Sequence, residues 1–156
     1  MAATPNGRGI GSNVLKGMVA GVAGTAAMTA AQSLEMRLSH RAPSLVPGEV
    51  ASRLLRIKAR GERKRRLSTA MHWGHGVFGG AVRGLLAATG AGGPTAGALH
   101  FALLWSTDVT LYRALGIAPA PWRWDPQDLV TDLFHKGVYA GVTNVVFEAL
   151  RDGSER

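Results

Sequence analysis

The chain has 156 residues, 46% of them apolar, no cysteine and a formal net charge of +8. The length suggests one domain, and the missing cysteines exclude disulfides and thiolate chemistry. A cationic surplus suits nucleic acid or an anionic lipid surface; its concentration between long apolar stretches, without interleaved aromatics for base stacking, argues for lipid and against nucleic acid.

Residues 1–13, rich in Gly, Asn and Ser, read as a disordered N-terminus, and 151–156 as a tail. The apolar stretch that follows is too long for a signal peptide and lacks a clean cleavage site. Spanning hydrocarbon takes roughly 20 mainly apolar residues. There is room for four such spans, at about 14–36, 69–89, 94–115 and 128–150. The expected fold is therefore all-α: a polytopic membrane bundle of about four transmembrane helices in one domain over 14–150. Glycine supports this expectation, because many of the 21 glycines fall inside the apolar stretches, where soluble helices tolerate them poorly and membrane helices use them for close packing. Gly17 and Gly21 in the first span continue at the same spacing into Thr25 and Thr29. Gly76, Gly80 and Gly84 repeat the device in the second, and Gly137 and Gly141 in the fourth.

Between the first two spans lies a basic loop, 37–68, with ten Lys and Arg residues. Pro43 and Pro47 are expected to break the chain there. Glu49 to Arg60 reads as a short amphipathic helix at the headgroup boundary. Arg63, Lys64, Arg65 and Arg66 then form a solvated cluster against anionic headgroups, and their charge assigns this loop to the cytoplasm. The short connection at 90–94 would face outside. In the last connection, Trp122 and Trp124 flank Arg123 as interface anchors.

Ionisable residues within spans face bundle interiors. At ~1.5 Å per residue, His72, His75, Asp108, Asp132 and His135 all lie roughly 5–10 Å from the cytoplasmic ends of their spans, and Glu35 ends the first span at the same level. They predict a buried polar layer in which Asp108 pairs with His135 or His75. Lys136 is expected to snorkel to the interface. Deeper in, Arg83 and His100 fall at equal depth and predict a second polar pair. The layer admits three uses: a hydrogen-bonded structural network, proton or ion handling, or a metal or haem site with His72, His75, His135 and Asp108 as ligands. The metal is unknown and no cofactor is favoured.

The strings Met71-His72-Trp73-Gly74-His75-Gly76, Ala81-Val82-Arg83-Gly84, Gly116-Ile117-Ala118-Pro119-Ala120-Pro121-Trp122-Arg123-Trp124 and Asp132-Leu133-Phe134-His135-Lys136-Gly137-Val138-Tyr139-Ala140, with Asp108 and Leu111, resemble a family of uncharacterised integral membrane proteins of actinobacteria and fungi. The likeness covers roughly residues 17–150. More distantly, the last two spans resemble YagU-like bacterial inner-membrane proteins. The closer family implies a glutamine where His75 stands, which weakens a metal site built on His75. The resemblance implies a membrane protein and supplies no activity.

No nucleophile elbow, phosphate loop or HExxH motif is present, so the sequence leans away from an enzyme. The leading expectation is a non-enzymatic accessory or scaffold subunit in a bacterial plasma membrane, with a membrane-protein partner or a second copy. The alternative is a proton- or ion-linked transporter or channel component using the His/Asp layer. A metal- or haem-binding redox protein comes third.

Overall fold

The computed structural model describes residues 7–153. The protein is all-helical, with no strand among those residues. In chain order it has α1 (Gly7–Ser39), α2 (Val46–Leu54), α3 (Gly61–Ala88), α4 (Gly93–Ala114), a single 3-10 turn at Pro121–Arg123, and α5 (Pro126–Asp152). The four long helices match the expected apolar stretches in position. Residues 7–13, expected to be disordered, are instead the first turns of α1. Helix propagation adds one hydrogen bond per residue fixed, and packing begins at Asn13 and Val14, whose backbones lie against Gly84. Residues 1–6 of the expected N-terminal segment and 154–156 of the expected tail lie outside the described residues.

The basic connection is shorter and more ordered than expected. Pro47 stands in the first turn of α2, where a missing N–H costs nothing and the fixed φ suits a helix. It starts a helix rather than breaking one. α2 stops at Leu54, and Arg56 then takes φ +53°, so Glu49–Arg60 is not one continuous helix. The inner face of α2 does not lie free at a headgroup boundary. Val50, Ala51 and Ser52 are buried, and Gly48 packs so closely on α3 that a Cβ there would meet the Lys64 carbonyl at 2.7 Å. Arg63 to Arg66 belong to the first turns of α3. Two of these cations have protein partners: Lys64 Nζ is 2.5 Å from Glu49 Oε2, and Arg66 Nε is 3.2 Å from Glu62 Oε1. Arg53 Nε also reaches Glu49, at 2.9 Å. The hydrogen bonds from Lys64 and Arg53 hold the Glu49 carboxyl below its ordinary 4.5.

Consecutive long helices alternate in direction. α1 packs on α3 and α5, while α4 packs on α5 and α3. The α1–α3 crossing uses the glycine row. Gly17 and Gly21 face Gly76, Gly80 and Gly84 so closely that a Cβ on Gly17 would lie 2.9 Å from Gly84 N, and one on Gly80 would lie 2.7 Å from Gly21 Cα. The Thr25 hydroxyl closes the row against Gly76. Gly137 and Gly141 depart from the expected packing role, since nothing lies within 4 Å of where their Cβ atoms would be. The packed face of α5 is Tyr139, Thr143 and Phe147. Two residues turn a helix by about 200°, so glycines at 137 and 141 point away from it.

The interior is small and unusually polar. The largest fully buried side chains are Arg83, Tyr139, Phe147, His100, Thr25 and Thr143, whereas Leu15, Phe78 and Val145 are 65–68% exposed. Among the described residues only α1, over Gly9–Ser39, is long and apolar enough by itself to cross a membrane. α3, α4 and α5 fall short because they carry the polar side chains that fill this interior.

A polar-floored cleft as the candidate functional site

Asp108, on α4, is buried. Its Oδ1 lies 3.1 Å from His75 Nε2 on α3, and its Oδ2 lies 3.2 Å from Lys136 Nζ on α5. Lys136 also reaches both oxygens of Asp132, one turn earlier, at 2.8 and 3.0 Å. The Trp105 indole of α4 donates to Asp132 Oδ2 at 3.0 Å. A continuous chain, His75–Asp108–Lys136–Asp132–Trp105, thus ties α3, α4 and α5 together. Burying one charge alone would be costly, and alternating signs along the chain offset that cost.

The structure revises several expectations for this layer. Lys136 does not snorkel to the interface; it is 8% exposed and central. Two carboxylates face it, and they outweigh the gain from reaching water. Asp108 pairs with His75 and not with His135. The Glu35 carboxylate stands apart from the chain, accepting hydrogen bonds from Arg41 at 3.0 Å and Ser39 at 2.9 Å. His72 Nε2 is 2.9 Å from Thr29 Oγ1, whose own proton goes to the Thr25 carbonyl, so the imidazole is the donor. His135 is 5% exposed, and its Nε2 has no hydrogen-bond partner. No three His, Asp or Glu side chains among the described residues converge to hold a metal. Lys136 occupies the position between Asp108 and Asp132 where a bound cation would sit.

Arg83 and His100 are both fully buried but do not pair with each other. Arg83 Nη2 lies 2.5 Å from Glu148 Oε1, its Nε donates to Asn144 Oδ1 at 2.8 Å, and its guanidinium stacks 4.3 Å from the Phe147 ring centre. The His100 Nε2 faces the Gly79 carbonyl at 2.9 Å. The partner of Arg83 is therefore not the residue at equal depth on α4 but an acid near the end of α5. Glu148 Oε1 also accepts from Gly93 N at 2.8 Å, and its Oε2 lies 2.6 Å from Arg151. This cluster closes the end of the bundle opposite α2.

At the α2 end the helices part around a cleft of about 850 Å³. His72, His75, Asp108, Asp132, His135 and Lys136 all line it, with Met28, Met36, Trp73, Tyr112 and Trp124 among its apolar walls. Below the floor, the Tyr139 hydroxyl donates to the Gly76 carbonyl at 2.5 Å, and Leu104, Tyr139 and Ala140 pack with Met28 and Phe101. The cleft is therefore partly open, and these residues close its inner side. Trp122 is 78% exposed, in keeping with a surface position. Trp124 instead turns to the cleft wall, its indole donating to the Pro119 carbonyl at 2.7 Å.

Trp105, Asn144 and Glu148 are the side chains that sequence reasoning missed, and Lys136 is the one it placed wrongly. Asp132 and Lys136 are four residues apart, the spacing of a helical ion pair, and that spacing was the available signal for Lys136. Compared with family models, curated proteins and solved structures, the chain matches none.

Proposed function

We propose that the protein is an integral membrane bundle in which α1, α3, α4 and α5 cross the bilayer and α2 lies at the cytoplasmic end. Its function on this reading is to take up a small solute from that side in a proton- or ion-linked manner. Two features support the membrane setting: large apolar side chains face outward while Arg83, His100, Asp108 and Lys136 are buried, a distribution suited to lipid outside and polar groups inside. Charge supports the orientation, with the exposed cations Arg56, Lys58 and Arg60 near the α2 end.

One observation carries the solute-handling reading over a passive scaffold. The buried charge chain forms the floor of a partly open cleft of about 850 Å³. A purely structural network has no need of such access, and 300–1,000 Å³ is roughly the volume of small-molecule sites. The blocked far end, with its Arg83–Glu148 cluster, corresponds to a transporter closed on the outer side. Asp108 is the group placed to exchange a proton, since it touches both His75 and Lys136.

The test uses purified protein in vesicles containing a trapped pH-sensitive dye. An imposed pH gradient should decay faster than in empty vesicles. Asp108→Asn should bring the rate back to the empty-vesicle level while the helical circular dichroism signal persists. Equal decay with wild type and Asp108→Asn would reject the proton-linked role and return the protein to the accessory-subunit class. The exposed Val130, Phe134 and Val145 of α5 would then be the face offered to a membrane partner.

A further inference from the structure

The polar groups around the cleft differ in whether they already have a partner. Each lining carboxylate does. Asp108 faces His75 and Lys136, Asp132 faces Lys136 and Trp105, and Asp128 lies 3.9 Å from Arg41. Of the basic side chains that line the cleft, two have neither an ion pair nor a hydrogen bond among the described residues. The Arg123 side chain lines the cleft and makes no ion pair or hydrogen bond among the described residues. His135 lines it too, with a buried Nε2 that has no partner. An unpartnered buried nitrogen is costly unless something fills its hydrogen-bonding capacity. Arg123 offers a planar guanidinium suited to carboxylate or phosphate. With its Nε2 protonated, His135 is a second donor beside the Arg123 guanidinium, so the two suit an acceptor, preferably anionic, whereas the natural site for a cation, between Asp108 and Asp132, is already filled by Lys136.

The remaining wall is apolar and soft. Met28 and Met36 are adaptable thioethers, and Trp73, Tyr112 and Trp124 add aromatic faces. We infer that the cleft binds an amphiphilic anion, with its carboxylate or phosphate head between Arg123 and His135 and its apolar body along the methionines and aromatic rings. The inference rests on the solute-handling reading above and narrows its substrate class. The same chemistry has two sources: a free medium-chain carboxylate from the cytoplasm, or an anionic phospholipid from the bilayer.

The experiment uses the full chain in phosphatidylcholine nanodiscs and follows tryptophan fluorescence, since Trp73 and Trp124 line the cleft. Decanoate, decanol and decyltrimethylammonium share an apolar tail and differ in head charge. Decanoate should bind saturably and more tightly than the other two, and Arg123→Gln, an exposed position outside the helix core, should weaken it by about tenfold, as expected for a hydrogen bond to a charged group. His135→Gln retains a donor and should restore most of the affinity that His135→Leu loses. Nanodiscs containing phosphatidylglycerol separate the sources. If that lipid displaces decanoate, the head belongs to a bilayer lipid; if it does not, the ligand is a free carboxylate. Binding of decyltrimethylammonium or decanol as tightly as decanoate would overturn the anion assignment and leave the solute-binding cleft standing. No saturable binding of any of the three would overturn the inference and the binding reading together.

Discussion

Gly80 gives the sharpest test of how the bundle is held. A methyl group there would lie 2.7 Å from Gly21 Cα and 2.8 Å from Gly21 N, and it would also strike the Gly17 carbonyl oxygen. Comfortable carbon–carbon contact is about 3.5–4.0 Å, so α1 would have to withdraw by roughly 1 Å. All three obstructing groups are backbone, which cannot rotate aside. Overpacking of this kind costs about 1–3 kcal/mol. Alanine offsets part of that cost, since it favours a helix by roughly 0.5–1 kcal/mol over glycine. At about 2–4 °C per kcal/mol for a chain of this size, Gly80→Ala should lower Tm by several degrees in mild detergent. Gly74→Ala is the control. It lies about 1.7 turns away on the same helix with nothing within 4 Å of its Cβ position, so only the propensity gain applies and Tm should stay level or rise. If both variants shift Tm alike, the α1–α3 crossing is not the tight contact described.

Other consequences follow at the two ends of the bundle. Glu148→Ala strands the fully buried Arg83 guanidinium, and loss of one member of a buried pair costs about 3–5 kcal/mol; chemical denaturation should detect it, and adding Arg83→Met should recover much of the loss. A double variant no more stable than Glu148→Ala would contradict the pairing. At the α2 end, Glu49 has a carboxyl held below its ordinary value by Lys64 and Arg53. A depressed carboxylate stabilises the fold above its ordinary range, and that contribution disappears as pH falls through its folded value. The protection factors against amide exchange in Val46–Leu54, taken relative to the intrinsic rate at each pH, should therefore fall on acidification below about pH 4.5, and Glu49→Gln should remove most of that dependence.

Much of the architecture was legible in the sequence because hydropathy sets helix position. The apolar stretches located the four long helices to within a few residues at most ends, and the small-residue spacing located the α1–α3 seam. What sequence could not give was direction around the helix. Gly137 and Gly141 carry the same GxxxG spacing as Gly17 and Gly21, yet they point outward, because on α5 the bulky Tyr139 and Phe147 take the interior. Depth alone also misassigned partners. Arg83 and His100 share a level, but Glu148 approaches from a third helix and outcompetes a neutral imidazole for the guanidinium. Lys136 misled for a related reason: its long stem suggests snorkelling, and only the convergence of Asp108 from α4 with Asp132 from its own helix turns it inward. The connection at 37–68 was misjudged because Pro47 read as a breaker and the run Arg63–Arg66 as part of a loop, while in the fold one opens α2 and the other opens α3; the exposure of Arg63, Arg65 and Arg66 is as expected.

The absence of cysteine makes the central claim, a membrane bundle with a water-reached cleft on its cytoplasmic side, directly measurable by single-cysteine labelling. Gln32 lines the cleft, and Phe78 is 68% exposed on the outer surface of α3, where the account calls for lipid. In sealed vesicles of known orientation, a small membrane-impermeant thiol reagent should modify Gln32→Cys from the cytoplasmic face only and should leave Phe78→Cys unmodified from either face. Ready modification of Phe78→Cys, or modification of Gln32→Cys from the external face alone, would contradict it.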